Sequence, residues 1–100
     1  MADWFLKNKI RDDKVTVFVK AGCPYCRNAT EMLKQYNFLP GHLQVFDINK
    51  SREAWDYFQT TGQGAVPCVF IGRQCIGGLC NLENMRCSLP RMLQRIGALQ

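Results

Sequence analysis

The sequence predicts an α/β fold in which helices flank a central four-stranded mixed sheet. Three observations carry this. Val15-Thr16-Val17-Phe18-Val19 is β-branched and nearly all apolar, as in a strand buried on both faces. The stretch after it repeats apolar residues at helical spacing. Further on, two short apolar runs are separated only by Gly72-Arg73, the mark of a hairpin with glycine first in its turn. A parallel pair joined through a crossover helix, together with that hairpin, makes a mixed sheet. The 100 residues suit one domain over 1–100 with a modest core.

The elements follow in order. Phe5, Leu6 and Ile10 suggest a short amphipathic first helix, and Val15 to Val19 the first strand. Pro24 stands where a first helical turn tolerates a missing N–H, and Cys26, Ala29, Met32, Leu33 and Tyr36 then form one inward face. Pro40-Gly41 marks a turn, and Leu43 to Ile48 a second strand. Ser51 is placed to cap a helix running to about Thr60, packing through Ala54, Trp55 and Phe58. Thr61-Gly62-Gln63-Gly64 ends it. Cys68 to Ile71 and Gln74 to Ile76 form the hairpin. After Gly77-Gly78 a short helix begins at Cys80 or Asn81, and Leu89, Met92, Leu93, Ile96 and Leu99 mark a last one, with Pro90 near its start.

Composition narrows the function classes. Hydrophobic residues at 47% and charged residues at 21% are ordinary for a globular domain. No apolar run approaches the roughly 18 residues of a membrane span, and the N-terminus does not read as a secretory signal. The net charge of +5 is scattered rather than gathered in a stripe, which argues against nucleic acid as a partner.

The chemistry lies in the cysteines, of which there are six. A secreted disulfide scaffold fits poorly with a chain so filled by regular elements. A zinc site is poorly supported as well, because no second Cys-x-x-Cys follows Cys23 and Cys26 and His42 stands alone. A redox motif in a βαβ setting fits best. Cys23 falls just outside the helix start and Cys26 on its apolar stripe, so Cys23 is expected to be exposed and Cys26 shielded. A helix N-terminus carries partial positive charge and unpaired N–H groups, which favour a thiolate. Lys20 and Arg27 bracket the pair and act in the same sense.

The blocks Phe18-Val19-Lys20-Ala21-Gly22-Cys23-Pro24-Tyr25-Cys26-Arg27, Asp56-Tyr57, Ala65-Val66-Pro67, Val69-Phe70-Ile71-Gly72, Cys75-Ile76-Gly77-Gly78 and Ile96-Gly97-Ala98-Leu99-Gln100 resemble the dithiol glutaredoxins of vertebrates. The resemblance covers nearly the whole chain and implies a thioredoxin-like fold. It implies a cytoplasmic enzyme that reduces protein–glutathione mixed disulfides and protein disulfides, and nothing in the sequence demands more than a monomer. Glutathione is the electron-donating co-substrate, and no cofactor is tightly bound. Cys23 is then the nucleophile and Cys26 the resolving thiol. Lys20, Tyr25, Val66, Pro67, Gly78, Cys80 and Asn81 would hold glutathione. Spacing alone leaves Pro67 open between a strand-edge and a cis proline. The resemblance implies cis, with the Val66 N–H and C=O left free for an extended substrate.

Several positions depart from the family's pattern. Gly64 stands in place of a basic residue, Ala65 of a threonine, Trp55 of a glutamine, Asn81 of an acidic residue and Cys68 of an arginine. These changes bear on glutathione affinity more than on thiol chemistry. They keep an alternative in view, a redox-sensing or iron–sulfur-binding domain with weak turnover, although Pro24 argues against a cluster. Cys75 reads as a small core residue, Cys87 as an exposed thiol, and Cys68 and Cys80 as groove thiols open to a regulatory disulfide or glutathionylation.

Overall fold

The computed structural model describes residues 9–60 and 65–100. The expected first helix, Ile10 apart, and the turn at 61–64 lie outside the described residues, as does Gly64. The elements are β1 Val15–Val19, α1 Pro24–Lys34, β2 Leu43–Asp47, α2 Arg52–Thr60, β3 Cys68–Ile71, β4 Gln74–Gly77, α3 Leu79–Asn84 and α4 Leu89–Arg95. The architecture is the thioredoxin-like α/β arrangement, a four-stranded mixed sheet in the order β2-β1-β3-β4. β1 pairs parallel with β2 through the α1 crossover and antiparallel with β3, with Val17 between Val45 and Val69. β3 and β4 form the hairpin, Ile71 opposite Gln74.

The alternation of β1 divides the core. Val15 and Val17 face a cluster with Ala29, Leu33, Val69, Leu82, Leu89 and Leu93 under α1, α3 and α4. Phe18 faces the opposite cluster with Ile10, Ala54, Tyr57, Phe58 and Phe70 under α2. Its ring lies 5.7 Å from Tyr57 and from Phe70, the latter edge-on. A strand buried on both sides explains why β1 lacks polar alternation. Ser51 Oγ accepts the Ala54 N–H at 3.2 Å, which caps α2 as its sequence suggests.

Three boundaries or faces differ from the sequence reading. The buried face of α2 is Ala54, Tyr57 and Phe58, at i, i+3 and i+4, whereas Trp55 is 39% exposed and lies over Phe58. The short helix starts one residue earlier, at Leu79, with Gly78 as its N-cap. The last helix stops at Arg95, short of Leu99. Gly97, at φ +80°, reverses the chain, and the Gly97 and Ala98 N–H groups bond back to the Gln94 and Leu93 carbonyls at 3.0 Å each. Leu99 still packs on the core, but from a bridge to Phe38. Among the described residues no helix is long and apolar enough to cross a membrane.

Candidate active site

The turn leaving β1 delivers Cys23 to the N-cap position of α1, at φ −102° and ψ 107°, with Pro24 as the first helical residue. The Cys26 N–H donates to Cys23 Sγ at 3.2 Å. A sulfur therefore occupies the place that a serine or aspartate oxygen takes in an ordinary cap. No acidic residue stands in the first turn, so nothing opposes the positive end of the helix there. The N–H aimed at Sγ strengthens as an interaction when the sulfur carries charge.

The two thiols are inequivalent, as their positions in the sequence imply. Cys23 is half-buried and Cys26 is only 3% exposed. Burial, then the hydrogen bond with Cys23, pushes the Cys26 thiol up to about 11, so it holds its proton at neutral pH. Of the flanking cations, Arg27 reaches along the helix to Glu31 at 3.3 Å. Exposed Lys20 has no ion-pair partner among the described residues.

The Val66–Pro67 peptide bond is cis. Tyr25, Val66, Pro67, Gly78, Cys80 and Asn81 line one groove of about 410 Å³, together with Cys68, Leu79 and Glu83 among others. That volume lies in the range of small-molecule sites. Lys20 and Cys23 line a second concavity, shared with Pro24 and Arg27, so the thiol turn stands between the two. The structure thus gathers six of the sequence-singled positions in the groove and sets Lys20 with Cys23 beside it.

Two details were not legible beforehand. Asn81 Oδ1 accepts the Gly78 N–H at 3.2 Å, so this side chain caps α3. Glu83, exposed, is the acidic side chain that lines the groove. It sits at i+4 from Leu79 and i+3 from Cys80, a helical spacing that puts all three on one face. The boundary of α3 had to be known before that spacing carried meaning.

Comparison with known proteins agrees with this geometry. The glutaredoxin family model matches residues 15–76, from β1 into β4. Glutaredoxin-1 of Gallus gallus is 57% identical over 100 residues, covering 99% of each chain. Glutaredoxin-1 of Homo sapiens is 46% identical over 106 residues, covering all of both chains. The crystal structure of a buckwheat glutaredoxin–glutathione complex superposes with a TM-score of 0.82 at 26% identity, covering 100% of this chain and 94% of that one. The strand-to-helix dithiol, the groove and these likenesses together place the chain in the glutaredoxin family, as a thiol–disulfide oxidoreductase whose active-site pair is Cys23 and Cys26.

Proposed function

We propose that the enzyme draws its electrons from glutathione and acts chiefly on protein–glutathione mixed disulfides, with Cys23 as nucleophile. The observation that carries this reading is the division of the pair: an accessible sulfur capped by a helix N–H, beside a buried thiol that keeps its proton. Cys23 thiolate attacks the glutathione sulfur, the substrate protein leaves as a thiol, and glutathione stays on Cys23. A second glutathione thiolate then attacks that glutathione sulfur, forming glutathione disulfide and freeing Cys23. With a protein disulfide, Cys23 first forms a mixed disulfide with the substrate. Cys26 gives up its proton and attacks Cys23 Sγ, which releases the reduced substrate and leaves a Cys23–Cys26 disulfide for glutathione to reduce.

The groove supplies recognition. A tripeptide carrying one ammonium and two carboxylates suits a groove with exposed Glu83 in its lining and Lys20 in the adjoining concavity. The backbone at Val66, with Pro67, Tyr25, Gly78 and Cys80, forms the walls, and Asn81 holds Gly78 in place. Lys20 answers a carboxylate and Glu83 the ammonium. That the buckwheat relative was solved as a glutathione complex supports glutathione as the ligand of this groove. The cycle needs neither a second chain nor a tightly bound cofactor, and it suits a cytoplasm where glutathione is kept reduced.

Glutathione-driven turnover of a glutathionylated protein and of a protein disulfide, in wild type, Cys23→Ser and Cys26→Ser, tests the reading. Cys23→Ser loses both activities; Cys26→Ser keeps the first and loses most of the second. A wild type that turns over neither substrate with glutathione, while reducing the disulfide with another electron donor, would overturn it.

A further inference from the structure

The catalytic cycle leaves a second pair of sulfurs unused. Cys68 Sγ lies 3.7 Å from Cys75 Sγ, across the β3–β4 hairpin. Cys75 pairs with Phe70, Cys68 stands two residues earlier on the same face, and the register shifts between Val69 and Phe70. That shift sits where the two side chains meet diagonally. Cys68 is 1% exposed within the cluster under α2, and half-buried Cys75 packs against the edge of that cluster. Cys68 also follows Pro67 and lines the groove. The sequence offered Cys80 as its companion in the groove; the sulfur beside it is that of Cys75.

We propose that Cys68 and Cys75 form a second dithiol–disulfide couple, oxidised by low-molecular-weight disulfides, in the wall of the glutathione groove. Closing the bond brings the sulfurs about 1.7 Å nearer, from 3.7 Å to the ~2.05 Å of a disulfide. The proposal does not depend on how Cys23 works and extends beyond its cycle.

The two sulfurs divide the work by access. Cys75, at the edge of the cluster, is the sulfur that a dissolved disulfide RSSR reaches. Its thiolate attacks one sulfur of RSSR, forming Cys75–S–SR and expelling RS⁻. Cys68 passes its proton to the departing thiolate and attacks Cys75 Sγ, expelling the second RS⁻. The pair loses two electrons and two protons, and RSSR becomes two RSH. Burial first, then Cys75, pushes the Cys68 thiol up to about 12, so this second step is slower at neutral pH than the first. The Tyr57 phenol, itself raised by burial and by both thiols, faces the pair, and Arg73 opposes that rise.

Trypsin separates the two sulfurs, because Arg73 lies between them. The full chain carrying Cys80→Ser, incubated with oxidised glutathione near neutral pH and digested without reductant, is expected to yield peptide 53–73 linked to 74–86. In that variant each peptide holds one cysteine, so the link is unambiguous. Adding Cys68→Ser is expected to abolish the link and leave a lasting glutathione adduct on Cys75. Unlinked peptides from the folded Cys80→Ser protein, with Cys75 either free or stably glutathionylated, would overturn the proposal. So would a Cys68→Ser protein whose Cys75 takes no adduct.

Discussion

Cys23 and Glu83 show how far single side chains decide this enzyme. Cys23 does two jobs, capping α1 and presenting its sulfur to the concavity it shares with Lys20, Pro24 and Arg27. A serine there preserves the cap and removes the nucleophile, which separates chemistry from folding. Glu83 is the charge that the proposed recognition adds. Exchanging it for glutamine removes the charge from the contact proposed to the glutathione ammonium in a solvent-open groove. Glu83→Gln should raise KM for a glutathionylated substrate about three- to tenfold, the equivalent of roughly 0.6–1.4 kcal/mol. Saturated turnover should stay unchanged, because the contact is made equally in ground and transition states. Steady-state kinetics check this, and an unaltered KM would remove Glu83 from the recognition set.

At the scale of elements, the β4–α3 corner sets the shape of the groove. Gly77 turns at φ +116°, and a Cβ built there would stand 2.7 Å from Asn81 Oδ1. The glycine is required twice, by its backbone and by the side chain that caps the next helix. Gly77→Ala should cost about 1–3 kcal/mol. For a domain of this size that is a fall in Tm of roughly 5–20 °C by thermal unfolding. A Tm within one or two degrees of wild type would mean the corner relaxes freely. The same corner explains a limit of reading from sequence. Gly77-Gly78 announced a break, but whether Asn81 would face a ligand or cap the helix depends on where α3 begins.

At the scale of the whole molecule, the parallel pair with its crossover helix, the hairpin and the helix that carries the dithiol at its start were legible because they rest on short-range signals. These are a doubly buried strand, a proline at a helix start and a glycine in a tight turn. What escaped depends on distant partners. Leu99 has helical spacing but is held by Phe38, and Trp55 was counted inward although the face of α2 is set by Ala54, Tyr57 and Phe58. The approach of Cys68 to Cys75 follows from a register shift that no local pattern signals. Two buried thiols also link global stability to pH. The folded values of Cys26 and Cys68 are raised from 9.0 to about 11 and about 12. The unfolded chain therefore loses these protons first as pH rises. Stability should be fully present below about pH 9 and decline from there through pH 11 to 12. Denaturant titrations under reducing conditions check this, and replacing Cys68 with alanine should flatten the alkaline limb. A wild-type profile that stays level above pH 9 would contradict the burial assigned to both thiols.

In the proposed cycle Cys23 is the first sulfur to receive glutathione. The most direct measurement is peptide mapping of the Cys26→Ser protein after a single exposure to a stoichiometric glutathionylated peptide, with reactive thiols blocked at once by alkylation. Trypsin releases residues 21–27 as a fragment whose one cysteine in that variant is Cys23. Glutathione is expected on this fragment before any other. Glutathione found first on Cys75, Cys80 or Cys87, with Cys23 still free, would contradict it.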